Sequence, residues 1–203
     1  METEENGRFY FIANNLALDF TNTLIVDESD SPLELVNSFS DLVNWASAAG
    51  ILSPDHASVL KRGSSRGHST EMLRRALSFR SELKKMAKAV VEGERVPASS
   101  IDAINEVLSR TKGHFELTSI SSGYALKFQT EVRNGSDLLL PIAESAARLL
   151  SETDLSLVRK CRREACVLYF YDASKRHGRQ WCSMSVCGNR AKAAAHYRRS
   201  HLQ

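Results

Sequence analysis

All four cysteines of the chain fall in its last quarter, in the order Cys161-x4-Cys166-x15-Cys182-x4-Cys187. Two matched thiol pairs, separated by enough chain for one β-hairpin, predict a four-thiolate zinc site, because soft thiolates bind zinc tightly and close its tetrahedral shell. A closed shell leaves no position for a substrate, so the pattern points to a binding module with one structural zinc rather than to a catalytic metal. Structural disulfides need an oxidising compartment, and the start of the chain, Met1 to Gly7, has neither the basic opening nor the apolar stretch of a secretory signal. A redox dithiol favours the tighter C-x-x-C spacing; Cys187 at a helix start keeps open a redox switch that ejects zinc.

Charge is divided in the same way as the cysteines. Residues 159–203 hold eleven Lys and Arg against Glu164 and Asp172, whereas the rest of the chain holds 16 basic and 22 acidic residues. Part of that excess, Arg162 and Arg163 above all, offsets the thiolates. The remainder is a basic field of the kind that meets a polyanion. The longest apolar run, Leu138 to Ala143, is far below the ~20 residues of a membrane span, so no membrane association is expected.

Helical signals dominate residues 1–155. Ser38 or Ser40 can cap a helix carrying Leu42, Trp45, Ala46 and Ala49 on one face and stopped by Gly50. Ser53-Pro54 starts another towards Leu60. Lys61 to Ser69, rich in Gly and Ser, reads as a loop, and Thr70 to Glu92 as a long amphipathic helix ended by Gly93 and Pro97. Ser99 or Ser100 begins the next. The period then changes to two: Phe115 and Leu117, then Ser121-Ser122-Gly123, then Tyr124, Leu126 and Phe128, predict a β-hairpin, followed by a helix over Asp137 to Ser151. A short strand is expected near Phe9 to Ile12.

In residues 156–203, Arg159 to Cys166 should form a first knuckle and Val167 to Tyr171 a strand. The chain turns over Asp172 to Gly178, returns along Arg179 to Trp181, and enters a helix after Cys187. The expected fold is α+β: a mainly helical N-terminal domain with one hairpin, plus a small treble-clef-like zinc finger. A 45-residue module buries too little apolar surface to fold reliably without its metal, whereas the larger domain should keep its own core. Phe170 and Trp181 should cover the site. Gly188 is expected where the backbone passes a metal-bound sulfur. Asn189 and Arg190 brace the site, with Arg190 bonding carbonyls of the first knuckle; contact with phosphate is the alternative for Arg190.

Lys192, His196 and Arg199 share one face of the last helix, and with Arg198 they suit a nucleic-acid backbone; Lys175, Arg176 and Arg179 in the preceding turn make a second contact. Asp19 and Asn22, polar within an apolar segment, either line a ligand pocket for a small-molecule effector or satisfy buried backbone groups. No base, nucleophile and orienting group can be assembled, and phosphate-loop and H-E-x-x-H motifs are missing, so an enzyme is not expected.

The segment Val158 to Ser200, with Cys161, Cys166, Phe170, Asp172, Trp181-Cys182-Ser183-Met184 and Cys187-Gly188-Asn189-Arg190-Ala191-Lys192, resembles the CGNR zinc finger. Leu16-Ala17-Leu18-Asp19-Phe20-Thr21-Asn22-Thr23-Leu24, Asp41 to Ala46 and Gly50-Ile51-Leu52 resemble its usual partner, the ABATE domain, whose members are described as stress-induced transcription regulators. The resemblance implies a bacterial, cytoplasmic regulator that binds duplex DNA. A zinc-stabilised protein adaptor and a single-stranded RNA binder stacking bases on Tyr169 or Tyr171 remain as alternatives; target, effector and oligomeric state are not fixed by the sequence.

Overall fold

Side-chain caps set most of the helix starts. Asn15 accepts from the Leu18 amide at the head of α1, Leu16–Thr21, Ser38 from Asp41 at the head of α2, Phe39–Ala48, and Ser53 from His56 at the head of α3, Pro54–Gly63. Each cap satisfies an amide that a helix N-terminus leaves without a partner. The helix α4, Arg66–Glu92, starts at Ser65 and ends at Gly93, whose φ of 69° supplies the left-handed stop. Then come α5, Ala98–Leu108, and α6, Leu140–Glu152, the latter preceded by a 3-10 turn over Gly135–Leu139. The computed structural model describes residues 8–27, 29–110, 113–121, 123–130 and 135–201.

Two local expectations change. The loop expected over Lys61 to Ser69 is reduced to Ser64 and Ser65, because α3 runs on to Gly63 and α4 starts at Arg66. The helical cost of Gly63 and Gly67, about 1 kcal/mol each, is tolerated at helix ends where Ser65 caps the second helix. Ser99 and Ser100 do not cap α5; both hydroxyls donate to the Glu82 carboxylate, tying α5 to α4.

Among the described residues, three two-stranded antiparallel sheets complete the α+β fold. The hairpin of β3, Gly113–Ile120, and β4, Gly123–Thr130, sets Phe115 opposite Phe128 and Leu117 opposite Leu126, as the alternation requires. A ribbon of β1, Leu24–Val26, and β2, Pro32–Glu34, follows α1 and was not expected. The strand expected near Phe9 to Ile12 is an isolated bridge at Phe9. In the last quarter β5, Val158–Lys160, pairs with β6, Tyr169–Tyr171, and α7, Asn189–His201, closes the chain.

Trp45 lies at the centre of the core, fully buried, with the Phe20 ring 4.9 Å and the Phe11 ring 6.0 Å from its own. Buried Val158, Leu168 and Phe170 belong to the same cluster, so the apolar core continues from the helices into the cysteine segment. No helix among the described residues is long and apolar enough to cross a membrane.

Candidate metal centre and nucleic-acid interface

Strands β5 and β6 flank the first thiol pair. The Cys161 amide donates to the Leu168 carbonyl at 3.0 Å, extending the ladder to the first sulfur, and the Cys166 amide donates to Arg163 at 2.9 Å to close the knuckle. The second pair sits on the approach to α7. There Ser183 accepts from the Val186 amide, a single wide helical turn runs over Met184–Gly188, and Cys187 lies in it, with Gly188 alone between it and α7. Knuckle, hairpin and helix start therefore face each other as in a treble clef.

The hairpin differs from the one expected. Its second strand is β5, on the N-terminal side of the knuckle, and Arg179 to Trp181 form no strand. The reason is Asp172, fully buried, whose carboxylate accepts from the Ser174 amide and hydroxyl and from the Arg179 amide at 2.9 Å. The chain thus folds around a carboxylate after β6 instead of zipping into a ladder. Burial alone would raise the Asp172 carboxyl; these donors outweigh it and hold it below its ordinary value.

The four sulfurs all lie within 4.8 Å of one another, and every cysteine is buried. Cys166 and Cys182 are 3.8 Å apart and Cys182 and Cys187 3.4 Å, measured between sulfurs. A zinc ion bonded to four sulfurs at about 2.3 Å requires them about 3.8 Å apart, so the set fits a tetrahedron. Sulfurs this close resist sharing negative charge: the hydrogen bond with Cys161 is the first cause that pushes up the thiols of both Cys166 and Cys182. A divalent cation at the centre removes the conflict by binding the thiolates. Cys161, Cys166, Cys182 and Cys187 make a site for one structural zinc.

Two guanidinium groups flank the cluster. Arg163 bonds Asp30, in the β1–β2 turn, and lies beside Cys187. Arg179 donates through Nε to the Trp181 carbonyl at 3.0 Å and through a terminal nitrogen to Ile12 at 2.8 Å and to Cys182; its plane stacks 4.1 Å from the Phe170 ring. Burial works against its charge, while Cys182, Asp172 and Asp19 support it. Arg179 is thus committed to carbonyls around the second thiol pair rather than to nucleic acid. Arg190 lines the groove between α7 and the knuckle beside Glu164. Asn189 donates to the Ser185 carbonyl at 3.1 Å and so ties α7 to its leading turn.

Gly188 is tight for a different reason from the one expected. A Cβ there would run into the Met184 thioether and lie 3.1 Å from Trp181, so the intruded sulfur belongs to methionine and not to the metal site.

Asp19 and Asn22 are consumed by backbone. One Asp19 oxygen accepts the Ile12 and Ala13 amides at 2.9 and 2.8 Å. Asn22 donates to the Tyr169 carbonyl at 2.8 Å and accepts the Tyr169 amide at 3.0 Å. Alongside them the Tyr171 amide donates to Ala13 at 2.8 Å, and Asn14, at a left-handed φ of 54°, donates to the Tyr171 carbonyl. The ligand-pocket expectation for this pair is replaced by a junction: the segment around α1 acts as a strand partner for β6. The polar residues inside the apolar segment were the available signal, but nothing local names their partners.

A family model described as "Putative stress-induced transcription regulator", ABATE, matches residues 14–153. The chain belongs to the ABATE family. The CGNR zinc finger model matches residues 158–200, covering all four cysteines. A search of curated proteins finds no match. In this ABATE chain the first motif, Leu16 to Leu24, is therefore the surface on which the CGNR finger is seated. Of the cationic residues expected at an interface, Lys175, Arg176, Lys192, His196, Arg198 and Arg199 are all exposed. Lys175 and Arg176 lie in the turn ordered by Asp172, and the other four on α7.

Proposed function

We propose that this chain is a cytoplasmic DNA-binding transcription regulator, not an enzyme, in which the zinc finger grips duplex DNA and the N-terminal domain governs it. The observation that carries the reading is the placement of α7. It starts two residues after the zinc ligand Cys187, directly from the turn that holds it, so its direction is fixed by the metal, and it carries Lys192, His196 and Arg199 at positions i, i+4 and i+7 on one exposed face. Small residues, Ala191 and Ala193 to Ala195, keep the helix thin enough to lie along a groove wall. The Lys175–Arg176 turn adds a second cationic point. Tyr169 and Tyr171 are half-buried at the junction with α1, which favours the helix over tyrosine stacking on single strands.

The test is fluorescence anisotropy of the zinc-loaded full chain with a duplex, a single DNA strand and an RNA strand of equal length, at low and at physiological salt. Duplex binding that weakens steeply with salt is expected. Preference for single strands would turn the reading to RNA, and no binding even at low salt would turn it to a protein adaptor.

A further inference from the structure

We propose that the groove between the N-terminal segment and the zinc finger binds a small, uncharged, apolar molecule. The cavity is ≈ 400 Å³, within the size range of ligand pockets. Phe9 and Phe11 before α1, Ile25 and Leu33 of the β1–β2 ribbon, and Leu168 and Val186 of the finger give it apolar walls, and three of the zinc-site cysteines, Cys166, Cys182 and Cys187, line it as well. Its rim keeps large apolar side chains in water: Tyr10 and Leu33 are each 43% exposed and Val186 46%.

The polar groups of the wall decide the ligand class, because most of them are already engaged with the chain. Arg163 is paired with Asp30 through a terminal nitrogen, and its Nε, which has no hydrogen-bond partner among the described residues, is buried out of a ligand's reach. Asp27 accepts the Ser29 and Ser31 amides and the Ser29 hydroxyl. Ser183 and Ser185 bond each other at 2.8 Å, and Arg190 has interactions of its own. A charged ligand would lose hydration there without gaining partners, at a cost that an apolar one avoids. Asp19 and Asn22, committed to backbone, do not compete for this role.

The groove touches both sides of the molecule. Its ribbon wall leads through Asp30 and Arg163 to the first knuckle, and its finger wall is the turn Met184–Gly188 that launches α7. A bound molecule is therefore in contact with the element that aims the basic helix, and any effect on nucleic acid must be reciprocal. That effector role rests on the DNA-binding reading; occupancy of the groove does not.

The experiment uses the zinc-loaded full chain without nucleic acid and titrates N-phenyl-1-naphthylamine, an uncharged apolar fluorophore. Saturable binding of one molecule per chain in the micromolar range is expected, with the sulfonated analogue ANS at least about tenfold weaker. Val186→Trp and Leu33→Gln, both at exposed positions, should each weaken binding by about tenfold or more with zinc content and circular dichroism retained. Tyr124→Ser, on the separate β3–β4 hairpin, should leave it unchanged. No saturable binding, equal binding by either groove variant, equal affinity for ANS, or weakened binding in Tyr124→Ser would each overturn the proposal. Groove binding with no duplex binding would leave this site standing while the DNA reading fell.

Discussion

Asn22 and Tyr169, 147 positions apart in the chain, are joined by two hydrogen bonds: the Asn22 side-chain amide donates to the Tyr169 carbonyl at 2.8 Å and its oxygen accepts the Tyr169 amide at 3.0 Å. A single side chain thus stands in for a neighbouring strand, and it does so from a buried position at the end of α1. Asn22→Ala strips both partners at once and leaves a peptide group without either bond. The expected loss is about 1–3 kcal/mol. For a chain of this size that is a fall in Tm of several degrees, on the order of 2–4 °C per kcal/mol, in the zinc-loaded protein. A Tm unchanged within error would show that water or another group replaces the pair.

Removal of zinc should be felt beyond the finger. Val158, Leu168 and Phe170 share one apolar cluster with Trp45 and Phe20, and the junction adds the Asn22, Ala13 and Ile12 bonds. The core of the larger domain thus runs on into the finger. Chelation, or Cys182→Ser, should therefore lower the stability of the whole chain in one cooperative transition that tryptophan fluorescence and far-UV circular dichroism report together. Two separate transitions, with the N-terminal helices unmoved, would contradict this.

Asp19 gives the junction a pH dependence. Burial pushes its carboxyl up to about 7 from an ordinary 3.8, against the Ala13 and Ile12 amides and the Arg179 charge, which pull it down. A folded-state value above the unfolded one means that the folded chain binds the proton more tightly. Its contribution is thus complete below the unfolded value and is lost as pH rises through the window up to about 7, by at most about 1.4 kcal/mol per pH unit. Asp19→Asn keeps an acceptor oxygen for both amides and removes the ionisation. Urea midpoints measured from about pH 5.5 to about pH 8 should show the wild type losing stability relative to the variant as pH rises, levelling above about 7. A constant difference would place the Asp19 ionisation outside that window.

What could be read from the sequence follows the range of each interaction. The cysteine set, the Ser38 and Ser53 caps, the Gly93 stop and the β3–β4 register all depend on neighbours within a few residues or on a strict period, so composition and spacing expose them. Arg179 could not be placed in the same way. As one of several arginines in a basic turn it has the composition of a surface contact, and only the buried Asp172 and the carbonyls of Trp181, Cys182 and Ile12 give it a structural role. The Arg163–Asp30 pair spans 133 positions and the Asn22–Tyr169 pair more, and neither partner carries a local mark of the other. The expected hairpin falls on the wrong side of the knuckle for a related reason. Arg179 to Trp181 are expected to return alongside the strand before the turn, but a carboxylate cap on that turn competes with the ladder and wins.

The most direct measurement is the dependence of duplex affinity on salt for the wild type and for the Lys192→Ala/Arg199→Ala variant, both zinc-loaded and full length. These side chains are exposed, share a face of α7 and are not needed to hold the metal, so zinc content and Tm should be unchanged. Removing one phosphate-bound cation should flatten the plot of log affinity against log salt by ~0.9, so the double variant should change the slope by up to about two units, with affinity reduced similarly for all sequences. An unaltered slope and affinity would contradict a phosphate-binding α7 and leave its basic face to solvent.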